Sequence, residues 1–407
     1  MFARRHWIPP AGLLFGQLCH GASWLLALSI AMWLHADPTV LPAIAWIHLV
    51  ALGWITVTAF SILLHAIPAF LDVTWKHESL ARVCVGIAAA AIAAFVVTLC
   101  VAVPALGIAA SVVAIALLTY LVTAWETLAG AFRSEDRIDR AVARAFAMTL
   151  AMLALAIALG LSLAWALTGA FGVSWISRLP GAHANVALFG WLTLLIYGVS
   201  ACTLRPITGT RSRWTAMHIV VGTATLVGAL VLPAGLALGS ETMTWIGAAL
   251  LALGAAAYVV DTSDVLLRST NPHGPPKAFV AAALVWLAVA MVLGAGVLLG
   301  HPWQAAYVFV LLMGWVAQMV DAHVFHIGVR LVSTIYRGED DETRPIELLD
   351  ARLAWLSFVL FQLAVAALAA GLLLPSKNAC ALGAFLGLCA WVVTMTAMIG
   401  ARRAARA

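Results

Sequence analysis

The stretch that decides the fold is "HLVALGWITVTAFSILLHAIP", residues 48–68. It is an apolar run of the length that crosses a bilayer, yet it contains two histidines, His48 and His65. Ionisable side chains are costly in lipid, so those that occur there are candidates for a functional site. With a rise of about 1.5 Å per residue, the two imidazoles lie roughly 25 Å apart along an α-helix. We therefore expect them to serve two different sites.

Composition indicates an integral membrane protein. The 407 residues are 64% hydrophobic and 10% charged, and the mean hydropathy is +1.04. A soluble core of this size does not need so many apolar residues. Apolar runs of spanning length predict twelve transmembrane helices. They fall at about 13–34, 43–65, 82–103, 105–128, 145–170, 182–204, 215–236, 243–267, 278–300, 303–330, 352–374 and 379–400.

The basic residues predict the orientation, because cytoplasmic loops retain Lys and Arg. If the N-terminus is inside, all 22 Lys and Arg residues except Arg178 and Lys377 fall on the inner side. We therefore expect a multi-pass protein with both termini cytoplasmic and the lipid bilayer as its main partner. This topology accounts for the net charge of +5, so no nucleic-acid surface is predicted.

A Gly-Trp pair recurs near the middle of the second, sixth and tenth predicted helices. The pairs are Gly53-Trp54, Gly190-Trp191 and Gly314-Trp315, at intervals of 137 and 124 residues. Each interval holds four helices, so the chain is predicted to be a single membrane domain, residues 1–407, with pseudo-repeats at about 1–130, 145–267 and 278–400. The fold class expected is all-α, with twelve helices in three four-helix arcs. Each pair taken singly is also explained by helix packing alone.

A residue able to bind metal follows each of these glycines by twelve positions: His65, Cys202 and His326. With His323, they form a predicted inner metal site. In the tenth helix, α-helical spacing would place Met319, His323, His326 and Arg330 on one face. The alternative is that these groups lie near the interface, are partly hydrated and cap the helix end. The sequence also allows the three repeated positions to line separate pores rather than one site.

His20, in "FGQLCHGASW", is predicted near mid-membrane with Gln17 one turn before it. A buried imidazole needs a hydrogen-bond partner or a metal. Two interpretations stay open: a neutral, hydrogen-bonded histidine, or a heme ligand opposite His48.

Twelve helices in three arcs, with potential ligands on the second, sixth and tenth, resemble the heme–copper oxidase subunit I superfamily, which includes the more distant NnrS-like proteins. The resemblance implies that His48 is an axial heme ligand and that His183, in "GAHANVALFGW", is a copper ligand. The tenth helix departs from the family pattern, because Tyr307 and Phe309 stand where two histidines are usual. Phe cannot bind iron and Tyr is an uncommon axial ligand. A complete oxygen- or NO-reducing centre is therefore not expected.

The resemblance implies a protein of the bacterial inner membrane that binds heme b, or copper or another transition metal, through its membrane histidines. Its predicted role is in redox chemistry, electron transfer, or nitrosative or metal stress, with other respiratory or redox membrane proteins as partners. An alternative from a different class is a cofactor-free channel, carrier, or accessory or assembly protein of a respiratory complex that keeps the same fold. Tyr307 and Phe309 favour this alternative.

Overall fold

The computed structural model describes residues 8–33, 41–134, 136–169, 176–338 and 345–406. These residues are helical with short connections and contain no strand. Within them, twelve helices are long and apolar enough to cross a membrane. They are α1 (Pro10–Met32), α2 (Leu41–Leu71), α3 (Glu78–Val101), α4 (Val103–Ala131), α5 (Arg140–Leu167), α6 (Leu179–Thr208), α7 (Ala216–Leu238), α8 (Glu241–Leu267), α9 (Pro275–Leu298), α10 (Gln304–Arg337), α11 (Ala351–Leu373) and α12 (Lys377–Arg406).

The predicted helix number and the all-α class are confirmed, and the twelve spans indicate a multi-pass membrane protein. Three helices stand out. The apolar windows of α2, α6 and α10 are 67, 72 and 89% buried, whereas those of the other nine are at most 50% buried. These three are the helices that carry the Gly-Trp pairs, so the repeated motif lies on the most enclosed helices. The arrangement in three arcs stays a prediction.

Each Gly-Trp pair lies in a π-helical segment, in which backbone hydrogen bonds run from residue i to residue i+5. The segments are Leu49–Thr56 in α2, Val186–Thr193 in α6 and Val310–Val316 in α10. In each segment the glycine is the fifth residue. π-helices account for well under 1% of residues and are frequent at functional sites. The three pairs therefore share a rare backbone conformation in the same register.

The three glycines also share a packing role. A Cβ added at Gly53 would lie 3.0 Å from the Cys19 sulfur in α1, and one at Gly314 would lie 2.8 Å from Cβ of Trp286 in α9. At Gly190 a Cβ would meet Met152 of α5. Each glycine thus allows its helix to approach the helix immediately before it in the chain.

Contacts divide the chain into two compact units. Unit 1 comprises Met1–Ile55, Pro206–Thr210 and Leu266–Ala407, and unit 2 comprises Thr56–Arg205 and Arg211–Val265. The helices α2 and α6 therefore each contribute residues to both units.

Unit 1 is held by reciprocal packing of tryptophan on glycine between α1 and α12. Trp24 of α1 lies on Gly387, and Trp391 of α12 lies on Gly21. The Trp391 indole N–H donates to the backbone oxygen of Gln17 at 2.6 Å. Each tryptophan thus occupies the space that the missing glycine side chain leaves.

A buried amide pair joins α10 and α11 in the same unit. Gln318 and Gln362 exchange hydrogen bonds of 2.9 and 3.1 Å, and the Trp286 indole N–H donates to the Gln362 oxygen at 3.0 Å. Buried polar groups are tolerated when they are paired in this way.

In unit 2, close approach of α7 and α8 depends on glycines spaced seven residues apart in each helix. These are Gly228 and Gly235 in α7 and Gly247 and Gly254 in α8. A Cβ at Gly235 would lie 2.5 Å from the backbone nitrogen of Thr244, and one at Gly247 would lie 2.5 Å from Cα of Leu232. Small residues at such positions allow helix backbones to touch, which is a main source of attraction between helices in lipid.

Candidate functional site

His48 is the last residue before the π segment of α2 and is partly buried. Its Nδ1 lies 2.8 Å from the backbone oxygen of Ile44. A neutral imidazole that donates from Nδ1 carries its lone pair on Nε2. Histidines that bind metals are held in the same way, because the proton on the other ring nitrogen is taken by a carbonyl or carboxylate.

His183 has a similar anchor in unit 2, although its acceptor lies on another helix. Its Nδ1 is 3.0 Å from the backbone oxygen of Ala156 in α5. The ring lies over Gly160, where an added Cβ would be 2.8 Å from Cε1 of His183. The absence of a side chain at Gly160 therefore makes room for the imidazole.

Phe309 and Tyr307, which stand where the resemblance noted in the sequence would place two histidines, are used for packing. Phe309 is the last residue before the π segment of α10, as His48 is in α2. Its ring stacks on Trp46 with centroids 5.8 Å apart. Tyr307 lies against Gly294 of α9, where a Cβ would be 2.9 Å from Cε2 of the ring. Both aromatic side chains are thus integral to the packing of unit 1.

An apolar groove in unit 1 borders Phe309. It is partly open, and its space for water-sized molecules is about 70 Å³. Its walls come from α1, α2, α10, α11 and α12, and it is lined by Ala27, Ile30, Ala31, Ala43, Trp46, Ile47, Ala305, Val308, Phe309, Leu368, Leu372 and Cys380. Among these described residues there is no histidine, although Ile47 adjoins His48 in the chain.

The inner residues of α10 do not lie in one regular α-helix. A second π segment, Val324–Gly328, follows His323 and separates it from Arg330. His323 is 7% exposed and its Nδ1 lies 2.6 Å from the Met319 oxygen. His326 lies within the π segment and is partly buried, whereas Arg330 is exposed. The shared face of Met319, His323, His326 and Arg330 stays a prediction.

The remaining inner positions, His65 and Cys202, are partly buried residues of unit 2. The Cys202 thiol is free, as are the other five cysteines. Among the described residues, no three His, Cys, Asp or Glu side chains are grouped so that they could hold a metal ion. The inner metal site of His65, Cys202, His323 and His326 stays a prediction.

His20 is enclosed by aromatic rings in unit 1. Its imidazole stacks on Trp54, with ring centroids 3.5 Å apart and planes 6° apart. Its Nε2 accepts a hydrogen bond from the Trp24 indole N–H at 2.9 Å. Ligation of heme through Nε2 would require this hydrogen bond to break. The contacts are those of the neutral, hydrogen-bonded histidine that the sequence allows.

Two buried carboxyl groups lie outside the predicted heme and metal ligand sets. Asp321 is 2% exposed, and its Oδ1 has no hydrogen-bond partner among the described residues. In unit 2, Asp261 is 4% exposed and its Oδ1 accepts from the Ser212 hydroxyl at 2.5 Å. A carboxyl group inside an apolar helix is the sequence signal for both.

Comparison with known proteins adds no relative. The chain matches no protein-family profile, and no curated protein matches it significantly.

Proposed function

We propose that this protein is a divergent membrane protein of the heme–copper oxidase subunit I type, close to the NnrS-like proteins, that binds heme b through membrane histidines. Its proposed role is in electron transfer or in the response to nitrosative or metal stress, in the inner membrane of a bacterium with both termini cytoplasmic. We further propose that its twelve helices form three arcs of four.

The arcs are supported by the three Gly-Trp segments. Each has π-helical backbone with glycine as its fifth residue. Each glycine also packs on the helix immediately before it in the chain. A conformation as rare as the π-helix is not expected three times in one register by chance, whereas a repeated four-helix unit would produce it.

The observation that carries heme binding is the anchoring of His48 and His183. Both precede a Gly-Trp segment, and both contact a backbone oxygen through Nδ1, at 2.8 and 3.0 Å. Because Nδ1 carries the proton that the carbonyl accepts, the lone pair of each neutral ring is on Nε2. A neutral imidazole nitrogen of this kind is what binds iron in proteins. A single imidazole is enough for axial ligation of a heme, as in globins, so the donor chemistry of each histidine fits the cofactor.

The chain's own residues would hold and tune the group. The carbonyl oxygens of Ile44 and Ala156 would keep the two imidazoles in one tautomer and orientation. Gly160 leaves room for the His183 ring. Bound heme would supply one-electron transfer or reversible binding of a small ligand. No histidine is among the described residues that line the apolar groove, so the cofactor is proposed to bind at the imidazoles and not in the groove.

A cofactor-free channel, carrier or accessory protein is the second candidate. It is favoured by Phe309 and Tyr307, which pack on Trp46 and Gly294. In that case the buried carboxyl of Asp321, together with His323 and His326, would contribute to a proton or metal-ion path through α10. A related alternative is a protein that binds copper or another transition metal through His65, Cys202 or His326.

An optical spectrum of the purified protein tests the heme proposal. Protein produced with ample heme is expected to show a Soret band and to change its spectrum on addition of dithionite. Replacement of His48 or His183 by leucine removes the protein ligand of the iron. The occupancy of the heme bound at that residue should therefore fall at least tenfold.

His273→Leu is the matched control, because His273 is exposed and lies outside the predicted ligand sets; its spectrum should equal that of the wild type. A wild-type preparation without a Soret band would contradict heme binding. Elemental analysis of the same wild-type protein and of a His65→Ala, His326→Ala double variant then separates a metal-binding protein from a cofactor-free one.

Gly160→Ala tests the position of His183 without removing the ligand. The new Cβ would lie 2.8 Å from the His183 ring, so the imidazole must turn away from its anchor. We expect heme occupancy to fall severalfold, in the same direction as in His183→Leu but by less, because the ligand is still present. Gly130→Ala is the matched control in unit 2, since nothing lies within 4 Å of its added Cβ. Equal spectra for the two alanine variants would show that the ring position does not matter for binding.

A further inference from the structure

Three neighbouring side chains of unit 1 have buried polar atoms without a partner among the described residues. The atoms are Nε2 and Oε1 of Gln17, Nδ1 of His20 and Nε1 of Trp54. The residues are 6, 1 and 0% exposed, respectively. Buried polar atoms in folded proteins are nearly always hydrogen-bonded, either to the chain or to an ordered water molecule. Four such atoms in one place therefore point to a ligand.

The three side chains form one cluster. His20 stacks on Trp54 with ring centroids 3.5 Å apart. Gln17 precedes His20 by three residues in α1, which places the two side chains next to each other on one face of the helix. The approach of α2 at this level is close, because a Cβ at Gly53 would lie 3.0 Å from the Cys19 sulfur.

Proton positions in the cluster follow from Trp24. An indole N–H is a donor only, so the hydrogen bond from Trp24 Nε1 makes His20 Nε2 the acceptor. The neutral ring then carries its proton on Nδ1. The cluster consequently presents N–H donors from Gln17, His20 and Trp54 but a single acceptor, the Gln17 amide oxygen. Its ligand must be rich in acceptors and able to donate one hydrogen bond.

The corresponding tryptophan of α6 has a different environment. The Trp191 indole N–H donates to the Thr56 hydroxyl at 3.0 Å in unit 2. A buried tryptophan in a Gly-Trp segment therefore uses its N–H when the chain supplies an acceptor. Trp54, which stacks on His20, has no such acceptor among the described residues.

We propose that Gln17, His20 and Trp54 form a binding site for ordered water, of one or two molecules, within the lipid-spanning part of unit 1. Water accepts two hydrogen bonds and donates two, which matches a set of donors with one acceptor. No charged side chain belongs to the cluster, so an ion would lack a counter-charge. The site is independent of heme binding.

Infrared spectroscopy of the full-length protein tests this proposal. Internal water gives O–D stretching bands that shift when D₂O is replaced by D₂¹⁸O. We expect isotope-sensitive bands in the wild type that disappear in Gln17→Met and weaken in Trp54→Phe, which keeps the stacked ring but removes the N–H. Thr225→Val is the matched control, because the Thr225 hydroxyl in α7 of unit 2 is also buried without a partner among the described residues but is far from the cluster in the chain; the bands should remain.

Thermal unfolding of the same variants gives a second measurement. Loss of a water-filled site should lower the Tm of Gln17→Met by about 2–4 °C, the shift typical of one lost hydrogen-bonding group. Removal of the Thr225 hydroxyl in Thr225→Val should leave the Tm unchanged or raise it. Unchanged water bands in Gln17→Met, with an unchanged or raised Tm, would overturn the proposal, since Gln17 would then be an unpaired amide or be bonded directly to His20.

Discussion

Replacement of Gly247 by leucine is expected to abolish folding of the α7–α8 pair in unit 2. The Cβ of any side chain at this position would meet the backbone nitrogen of Leu232 and would lie 2.5 Å from its Cα. Backbone atoms cannot rotate away as a side chain can, so the two helices must separate. Even Gly247→Ala should lower the free energy of unfolding by about 3 kcal/mol, at the upper end of overpacking effects. Leucine, which is larger, should lower it by more than the fold can tolerate.

Gly222→Leu is the matched control. Gly222 lies in α7, the helix on which Gly247 of α8 packs, but nothing lies within 4 Å of its added Cβ. The measurement is the yield of monodisperse protein on size-exclusion chromatography in detergent, followed by the Tm of what elutes. We expect near wild-type yield for Gly222→Leu and almost none for Gly247→Leu. Equal yields would mean that the helices are farther apart than the structure places them.

The second large effect concerns the packing of Trp24 on Gly387 in unit 1. A Cβ at Gly387 would lie 2.5 Å from Cε2 of the Trp24 ring, which is fully buried and bonded to His20. Gly387→Leu should therefore be strongly destabilising. Trp24→Ala should cost about 3–5 kcal/mol through the cavity that it leaves. Because the added leucine fills part of that cavity, the double variant should be more stable than either single variant.

Higher stability of the double variant would be the decisive result, because the losses in free energy of unfolding of two independent substitutions add up. The Tm of the two single variants and the double variant gives the coupling directly. Gly400→Leu in the same helix is the control, because nothing lies within 4 Å of its added Cβ and Trp24→Ala should not rescue it. A double variant less stable than both single variants would contradict direct packing of the two residues.

The number of membrane spans could be predicted from the sequence because it depends on local composition. Twelve apolar runs of sufficient length identify twelve helices whatever their neighbours are. The ends were less predictable. The tenth span was expected to end near 330, but α10 continues to Arg337. Polar and basic residues do not stop a helix at the membrane interface, since long side chains reach the water there.

The candidate ligands were predictable as residue types, but their surroundings were not. His48 and His183 are visible in the sequence as imidazoles within apolar runs. The partners that orient them differ: His48 uses a carbonyl one turn away in its own helix, whereas His183 uses Ala156 of α5, 27 residues away. Nothing in the local sequence around His183 indicates that contact or the role of Gly160.

The repeated Gly-Trp pairs show which features depend on the sequence alone and which depend on the tertiary structure. Sequence order alone established twelve apolar segments, three recurring pairs and a His or Cys twelve residues after each glycine, because all of these are properties of the chain read residue by residue. The tertiary structure decided that the pairs lie in π-helical segments and that a further π segment separates His323 from Arg330. It also decided that Phe309 stacks on Trp46. The physical reason is that hydrogen-bond register and ring contacts depend on which neighbouring helix fills the space beside each glycine, and composition along the chain does not encode that neighbour.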